Sequence, residues 1–208
     1  MTTPDRSPTG QPVSGDQPLG RYELLLCVTG GIACYKAADL ASKLTRAGAS
    51  VTVALTENAC RFVTPLTFQA VTRNRVFTDL WPDAGDHDSG HISLTERADL
   101  MIIAPATANM LGKIACGIAD DLVSTMAMSA AGACEMLVAP AMNTRMWNSP
   151  ALQDNIKTLE ARGVRFIGPN DGPLACGTTG PGRMAEPHEI VSAIISILDQ
   201  TPPKSDQT

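Results

Sequence analysis

Six short segments carry residue types whose spacing can support chemistry. Thr29-Gly-Gly-Ile-Ala-Cys-Tyr-Lys36 places two glycines between an apolar run and a helical pattern. Glycine lets the backbone approach a ligand, and the free N–H groups at a helix start can hold a phosphate. The pattern is not GxGxxG, so it is no dinucleotide fingerprint, and a tight turn without a ligand is the alternative reading. Thr56-Glu-Asn58 offers a hydroxyl and an amide after a second apolar run, and Pro105-Ala-Thr-Ala-Asn109 offers two hydrogen-bonding side chains among small residues after a third. Each is equally explained as the N-cap of a following helix. Together the three suggest a mononucleotide, with its phosphate over the first turn and its ring toward the third.

The remaining three segments are polar or reactive. Asp86-His-Asp-Ser-Gly-His91 sets two histidines four apart, but Ser89 and Gly90 favour a loop and a third ligand is missing, so no metal is expected. His87 reads as a surface residue, while His91 opens an apolar pattern and can serve as a base. Pro140-Ala-Met-Asn143 puts an amide at a strand end, where it can bind a carboxylate or simply close an Asx-turn. Gly172-Pro-Leu-Ala-Cys-Gly-Thr-Thr-Gly-Pro-Gly-Arg-Met184 reads as a long flexible lid around one thiol, Cys176, with an incidental buried cysteine as the alternative.

The elements that must position these groups alternate along the chain. Apolar runs at 24–29, 51–55, 100–104, 136–139 and 164–167 predict buried parallel strands. Helical spacing predicts helices over 33–47, 58–72 (interrupted at Pro65), 106–115, 121–130, 150–162 and 187–198. Alternation of this kind implies right-handed crossovers and a three-layer α/β fold, a Rossmann-like or flavodoxin-like parallel sheet of five or six strands flanked by helices. In such sheets ligands bind at the carboxyl ends of the strands, where the glycine turn and the segments at Thr56, Pro105 and Pro140 fall. Residues 1–20 and 201–208 read as disordered tails around a single domain over 21–200.

Composition narrows the function classes. With 208 residues, 44% of them hydrophobic and 18% charged, the chain is long enough for a full core and too apolar for global disorder. The net charge of −5 supplies no broad positive field, so no nucleic-acid partner is expected. Six cysteines without a CxxC pair, no leader segment and no membrane-length apolar run predict a cytoplasmic protein with reduced thiols and no membrane contact.

In combination the segments resemble the flavin-containing cysteine decarboxylases, most closely the branch that acts on phosphopantothenoylcysteine in coenzyme A synthesis. The resemblance rests on Gly30-Gly-Ile-Ala33 with Tyr35-Lys36, Gly90-His-Ile92 ahead of Ala98-Asp-Leu100, Ala104-Pro-Ala-Thr-Ala-Asn109, Ala119-Asp-Asp-Leu122, Pro140-Ala-Met-Asn143, and Leu174-Ala-Cys-Gly177 with Gly182-Arg-Met184. It spans residues 24–198.

The resemblance implies bound FMN and conversion of 4′-phosphopantothenoylcysteine to 4′-phosphopantetheine through thioaldehyde and ene-thiolate intermediates. It also implies a homotrimer with FMN at the subunit interface, or a homododecamer built from trimers. His91 and Cys176 match the family's catalytic positions, and Asn143, with Ala141 and Met142, the substrate-binding ones. Gly30, Gly31, Ile32, Thr56, Asn58, Pro105, Ala106, Thr107, Ala108, Asn109, Ser124 and Ala141 match positions around the cofactor. The fused synthetase domain frequent in the family has no counterpart in this sequence, so another polypeptide is expected to supply ligation. Relatives that decarboxylate a peptide's C-terminal cysteine to an aminoenethiol are the alternative, but they do without the lid cysteine. A catalytically silent flavoprotein would have no need of His91, Asn143 and Cys176 together.

Overall fold

The computed structural model describes residues 17–80 and 90–206. Six parallel strands form the central sheet: β1 (Glu23–Val28), β2 (Ser50–Leu55), β3 (Val76–Phe77), β4 (Leu100–Ala106), β5 (Glu135–Pro140) and β6 (Arg165–Phe166). Their spatial order is β3-β2-β1-β4-β5-β6. This is the doubly wound Rossmann order; without the two-residue edge strand β3, the remaining five follow the flavodoxin-like order. The three-layer parallel sheet is therefore as expected.

β1 lies at the centre. Everything in it after Glu23 is buried, because a parallel strand covered on both faces has no wet side. Leu24, Leu26 and Val28 face one layer; Leu25 and Cys27 face the other. The first layer holds α1 (Cys34–Arg46), α3 (Pro65–Thr72) and α9 (Pro187–Leu198). The second holds α4 (Gly90–Arg97), α5 (Ala108–Cys116), α6 (Leu122–Ser129) and α8 (Pro150–Ala161). Two one-turn helices, α2 (Glu57–Cys60) and α7 (Thr144–Trp147), follow β2 and β5. The chain runs outward from β1 through β2 to β3 and returns to place β4 on the other side of β1. The reversal leaves a crevice at the carboxyl ends of β1 and β4.

The structure departs from the sequence expectation at several points. The interrupted helix over 58–72 is two helices, with Pro65 opening the second, where its missing N–H costs nothing. Pro105 does not close the third strand, since β4 continues through it to Ala106. The segment read as a lid loop is an antiparallel hairpin, β7 (Asn170–Pro173) and β8 (Thr179–Arg183).

Both ends enter the domain further than the expected tails allow. Leu19 is fully buried and its N–H donates to the Ala47 carbonyl at 3.0 Å. Lys204 opens a short 3-10 helix; its N–H donates to Asp99 at 2.7 Å, and its ammonium donates to the Glu96 and Ala133 carbonyls at 2.7 Å each. Residues 1–16, 81–89 (with His87) and 207–208 lie outside the described residues.

Truncating the central strand tests this account. Leu26→Ala should lower stability by about 2–5 kcal/mol, seen as a lower urea midpoint at unchanged slope. A cost below about 1 kcal/mol would mean that β1 is not the packed centre.

Candidate functional site

Thr29 is the residue that builds the site's floor. Immediately after β1 it donates its hydroxyl to the Pro105 carbonyl at 2.7 Å and accepts the Thr107 N–H at 3.1 Å. Its own N–H donates to the same carbonyl at 3.3 Å. The hydroxyl is buried and fully used, so it joins the carboxyl ends of β1 and β4 where the chain reverses direction. The sequence marked Thr29 as the end of a strand and the start of the glycine turn, with no role for its hydroxyl.

The two glycines of the turn have different roles. A Cβ on Gly30 would come within 2.4 Å of the Asn58 Cβ and 2.7 Å of its backbone carbon, so Gly30 lets the turn press against α2. A Cβ on Gly31 would meet only the Thr107 methyl at 3.9 Å, which leaves that side of the turn open. Gly31 thus faces a cradle, while Gly30 is needed for packing. Cys34 begins α1 directly behind them, with its thiol donating to the Thr29 carbonyl at 3.2 Å.

A cavity of about 800 Å³ opens over this turn. It gathers Gly30, Gly31, Ile32, Thr107, Ala108, Ala141, Met142, Asn143 and Cys176 from four separate parts of the chain. Its size is that of a cofactor or substrate site. The walls are mostly apolar or small: Ile32, Met142, Met146 and Leu174 around Ala108 and Ala141. A flat aromatic ring with a polar edge fits such a cleft.

The other expected cofactor residues stand apart from it. Pro105 and Ala106 are buried in β4 beneath the floor, and Asn109 is exposed on α5. Thr56 caps α2, accepting the Ala59 N–H at 3.2 Å, and Asn58 packs under Gly30. Ser124 is not brought to this cavity: it is buried in α6, closes a capping box with Asp121, and lines a separate cavity of about 570 Å³ with Ile114, Met128 and Leu159. His91 is the second residue of α4, on the layer across the sheet from α1 and α9.

Helix capping accounts for part of what the sequence assigned to ligand binding. Thr107 caps α5 by accepting the Met110 N–H at 3.3 Å, and Asn143 caps α7 by accepting the Met146 N–H at 2.8 Å. The cap uses only the oxygen of Asn143, and its amide N–H groups remain available at the cavity wall. A strand-end Asn can thus shape its loop and still present donors for a carboxylate.

The hairpin rests on this loop by backbone contact. Met142 N–H donates to the Gly182 carbonyl at 2.9 Å. A Cβ on Gly182 would lie 2.2 Å from the Met142 carbonyl oxygen, and one on Gly180 would lie 2.8 Å from the Thr144 hydroxyl. Both glycines also hold positive φ, so the Gly-Pro-Gly run is a requirement of docking rather than a mark of flexibility.

Cys176 projects at the hairpin tip and is exposed, so it is not an incidental core cysteine. Its thiol lies 3.1 Å from the Thr178 hydroxyl. Hydrogen bonds from the Thr178 side chain and backbone, with a smaller contribution from the Arg145 charge, hold it below the ordinary cysteine range. Desolvation does the opposite to Cys27, Cys34, Cys60 and Cys134, raising all four. A thiolate forms most readily at the one of these five that faces the cavity.

Known proteins align with this geometry. A coenzyme A biosynthesis bifunctional protein, CoaBC, of Bacillus subtilis strain 168 is 50% identical over 173 residues, covering 83% of this chain and 42% of that protein. The chain therefore spans less than half the length of that relative. A solved structure of a PPC decarboxylase cysteine-to-serine mutant, complexed with pantothenoylaminoethenethiol, superposes with a TM-score of 0.77 at 32% identity, covering 86% of this chain and 99% of the other. The structure of SpaF, described as an FMN-dependent cysteine decarboxylase, gives a TM-score of 0.75 at 31% identity, covering 87% of this chain and 97% of the other. The Flavoprotein family model matches residues 13–199, nearly all of the domain built around the glycine turn, and this chain belongs to that family.

Proposed function

We propose that this chain binds FMN and decarboxylates 4′-phosphopantothenoylcysteine to 4′-phosphopantetheine, a step of coenzyme A synthesis. The observation that carries the reading is the cavity itself, where an open glycine turn, an amide with unused N–H donors and a thiol held below its ordinary range meet on different elements. Similarity to CoaBC and to PPC decarboxylase supports the same substrate. Bound FMN supplies reversible two-electron oxidation, which gives the electrons of a departing carboxylate somewhere to go.

The residues of the chain divide the remaining work. Gly31, Ile32, Thr107, Ala108 and Ala141 hold the cofactor in the cleft. The Asn143 amide donates to the substrate carboxylate and orients it, with Met142 and Ala141 beside it. Cys176 delivers a proton to the substrate carbon after carbon dioxide has left, and the hairpin limits the entry of water. The six free cysteines suit a reducing cytoplasm.

His91 reaches the chemistry from a neighbouring subunit, in a trimer or a dodecamer built from trimers. Within one chain, α4 packs on α6, and among the described residues none of α4 lines the cavity. Exposed apolar side chains flank both halves of the proposed joint. Ile32 is 61% and Tyr35 63% exposed at the cavity mouth, and Ile92 is 43% exposed next to His91. A covering subunit removes these surfaces from water.

Product analysis tests the reading. Asn143→Asp should keep FMN bound and lose decarboxylation by at least ~10–100-fold, because a charge-assisted hydrogen bond is replaced by like-charge repulsion. Cys176→Ser should still release carbon dioxide but form the saturated thiol at least ~100-fold more slowly, accumulating a product two hydrogens lighter. A wild-type protein that stops at the unsaturated product, or that accepts only peptides ending in cysteine, would assign it to peptide decarboxylation instead.

The acidity of the thiol gives a second test. A donor whose pKa is lowered loses its proton earlier as pH rises, so formation of saturated product should fall below the pH at which an ordinary cysteine ionises, ~8.5. Thr178→Val removes the leading cause of that shift and should move both this limb and the pH profile of Cys176 alkylation upward. Unmoved profiles would show that Thr178 does not set the acidity.

A further inference from the structure

The hairpin carrying Cys176 has almost no apolar material with which to fix its own position. β7 reads Asn-Asp-Gly-Pro and β8 Thr-Gly-Pro-Gly-Arg, and the tip residues 175–178 are exposed. A lone two-stranded ribbon is marginal in water. Gly182 seats one side of it on the Met142 backbone and Gly180 on the Thr144 side chain, both contacts coming from β8.

The other side is held by charge. Both strands reach the first turn of α9. Asn170, at the start of β7, donates to Glu189 at 2.7 Å, and Glu189 also accepts the Glu186 N–H at 2.6 Å. Arg183, at the end of β8, donates to Glu186 Oε1. The same oxygen accepts from Lys36 Nζ at 2.9 Å, and Lys36 also approaches the Met184 carbonyl at 3.4 Å. The Lys36 side chain is only 11% exposed. Two cations on one carboxylate oxygen, Arg183 foremost, hold the Glu186 pKa down at about 2, so this carboxylate stays charged at any working pH.

Lys36 is the third residue of α1, the helix that starts from the Gly30-Gly31 turn. The cluster thus joins the cofactor end of the cavity to the root of the hairpin. We propose that Lys36 and Glu186 are positioning residues that set the pose of the Cys176 hairpin over the cavity and couple it to the glycine turn. This rests on the reading of Cys176 as proton donor, and neither residue transfers a proton itself. Lys36→Met removes one of the two cations on Glu186, while α1 and α9 stay packed through their apolar faces. Glu186→Gln weakens both contacts at once.

The test uses the full chain loaded with FMN, comparing Lys36→Met, Glu186→Gln and the conservative Lys36→Arg with wild type. Amide exchange over residues 170–183 should rise about tenfold in the first two, the scale of one lost charge-assisted hydrogen bond, while β1 and β4 are unchanged. Alkylation of Cys176 relative to exposed Cys116 should shift with it. The ratio of unsaturated to saturated product should rise several-fold, and Lys36→Arg should restore exchange and ratio together. Unchanged hairpin exchange in both variants, or a uniform rise across the sheet, would overturn the proposal. If hairpin exchange rises but wild type itself forms no saturated product, the anchor stands and the donor role of Cys176 falls.

Discussion

The architecture of the site depends on one buried hydroxyl. A doubly wound sheet must part its connections where the chain reverses, and the backbone groups at the carboxyl ends of the two strands concerned lose their ladder partners there. Thr29 satisfies both sides at once, donating to Pro105 and accepting from Thr107. The crevice is thereby held at a fixed width by strand ends rather than by mobile loops. A valine of the same shape would leave the Pro105 carbonyl with only the longer Thr29 N–H bond and the part-buried Thr107 N–H without its acceptor, at a cost of about 1–3 kcal/mol. The glycine turn and the start of α5 stand on that crosslink.

On this floor the cavity is walled by backbone in close approach. Gly30 against Asn58 and Gly182 against Met142 each leave no room for a Cβ. Such contacts are insensitive to rotamer changes, which suits walls that must keep their shape as ligands come and go. Side chains enter as short projections from capped helix starts: Thr107 from α5 and Asn143 from α7. The capping bond that begins each helix also fixes the orientation of the side chain that makes it, so local helix energetics and site geometry are not competing explanations.

The sequence reveals the sheet because buried parallel strands write themselves as apolar runs, and it reveals the glycine turn because few residue types tolerate such approach. It does not reveal the hairpin. Asn-Asp-Gly-Pro and Thr-Gly-Pro-Gly-Arg lack apolar alternation and hold one β-branched residue, Thr179, and the hairpin docks on a loop some 40 residues earlier in sequence, between Gly182 and Met142. Leu19 and Lys204 escape notice for a related reason: single residues in polar stretches carry no periodic signal, although one is buried and the other ties three carbonyl or carboxylate groups. Ser124 marks the opposite limit, where likeness to a motif points to a ligand and the folded chain spends the side chain on a capping box facing a different cavity.

The position of the thiol follows from the same division between floor and cover. Burial gives a cysteine exact placement but drives its pKa up, as at Cys27, leaving it protonated and inert. Exposure keeps the thiol titratable but leaves it on an element with little packing of its own. The hairpin reconciles these demands by separating them along its length. Local donors at the tip, Thr178 above all, set the acidity of Cys176 without desolvating it. Charge at the root, where Lys36 and Arg183 converge on Glu186, supplies the placement that packing cannot. A core-like solution would have secured the position of this group by taking away its ability to ionise.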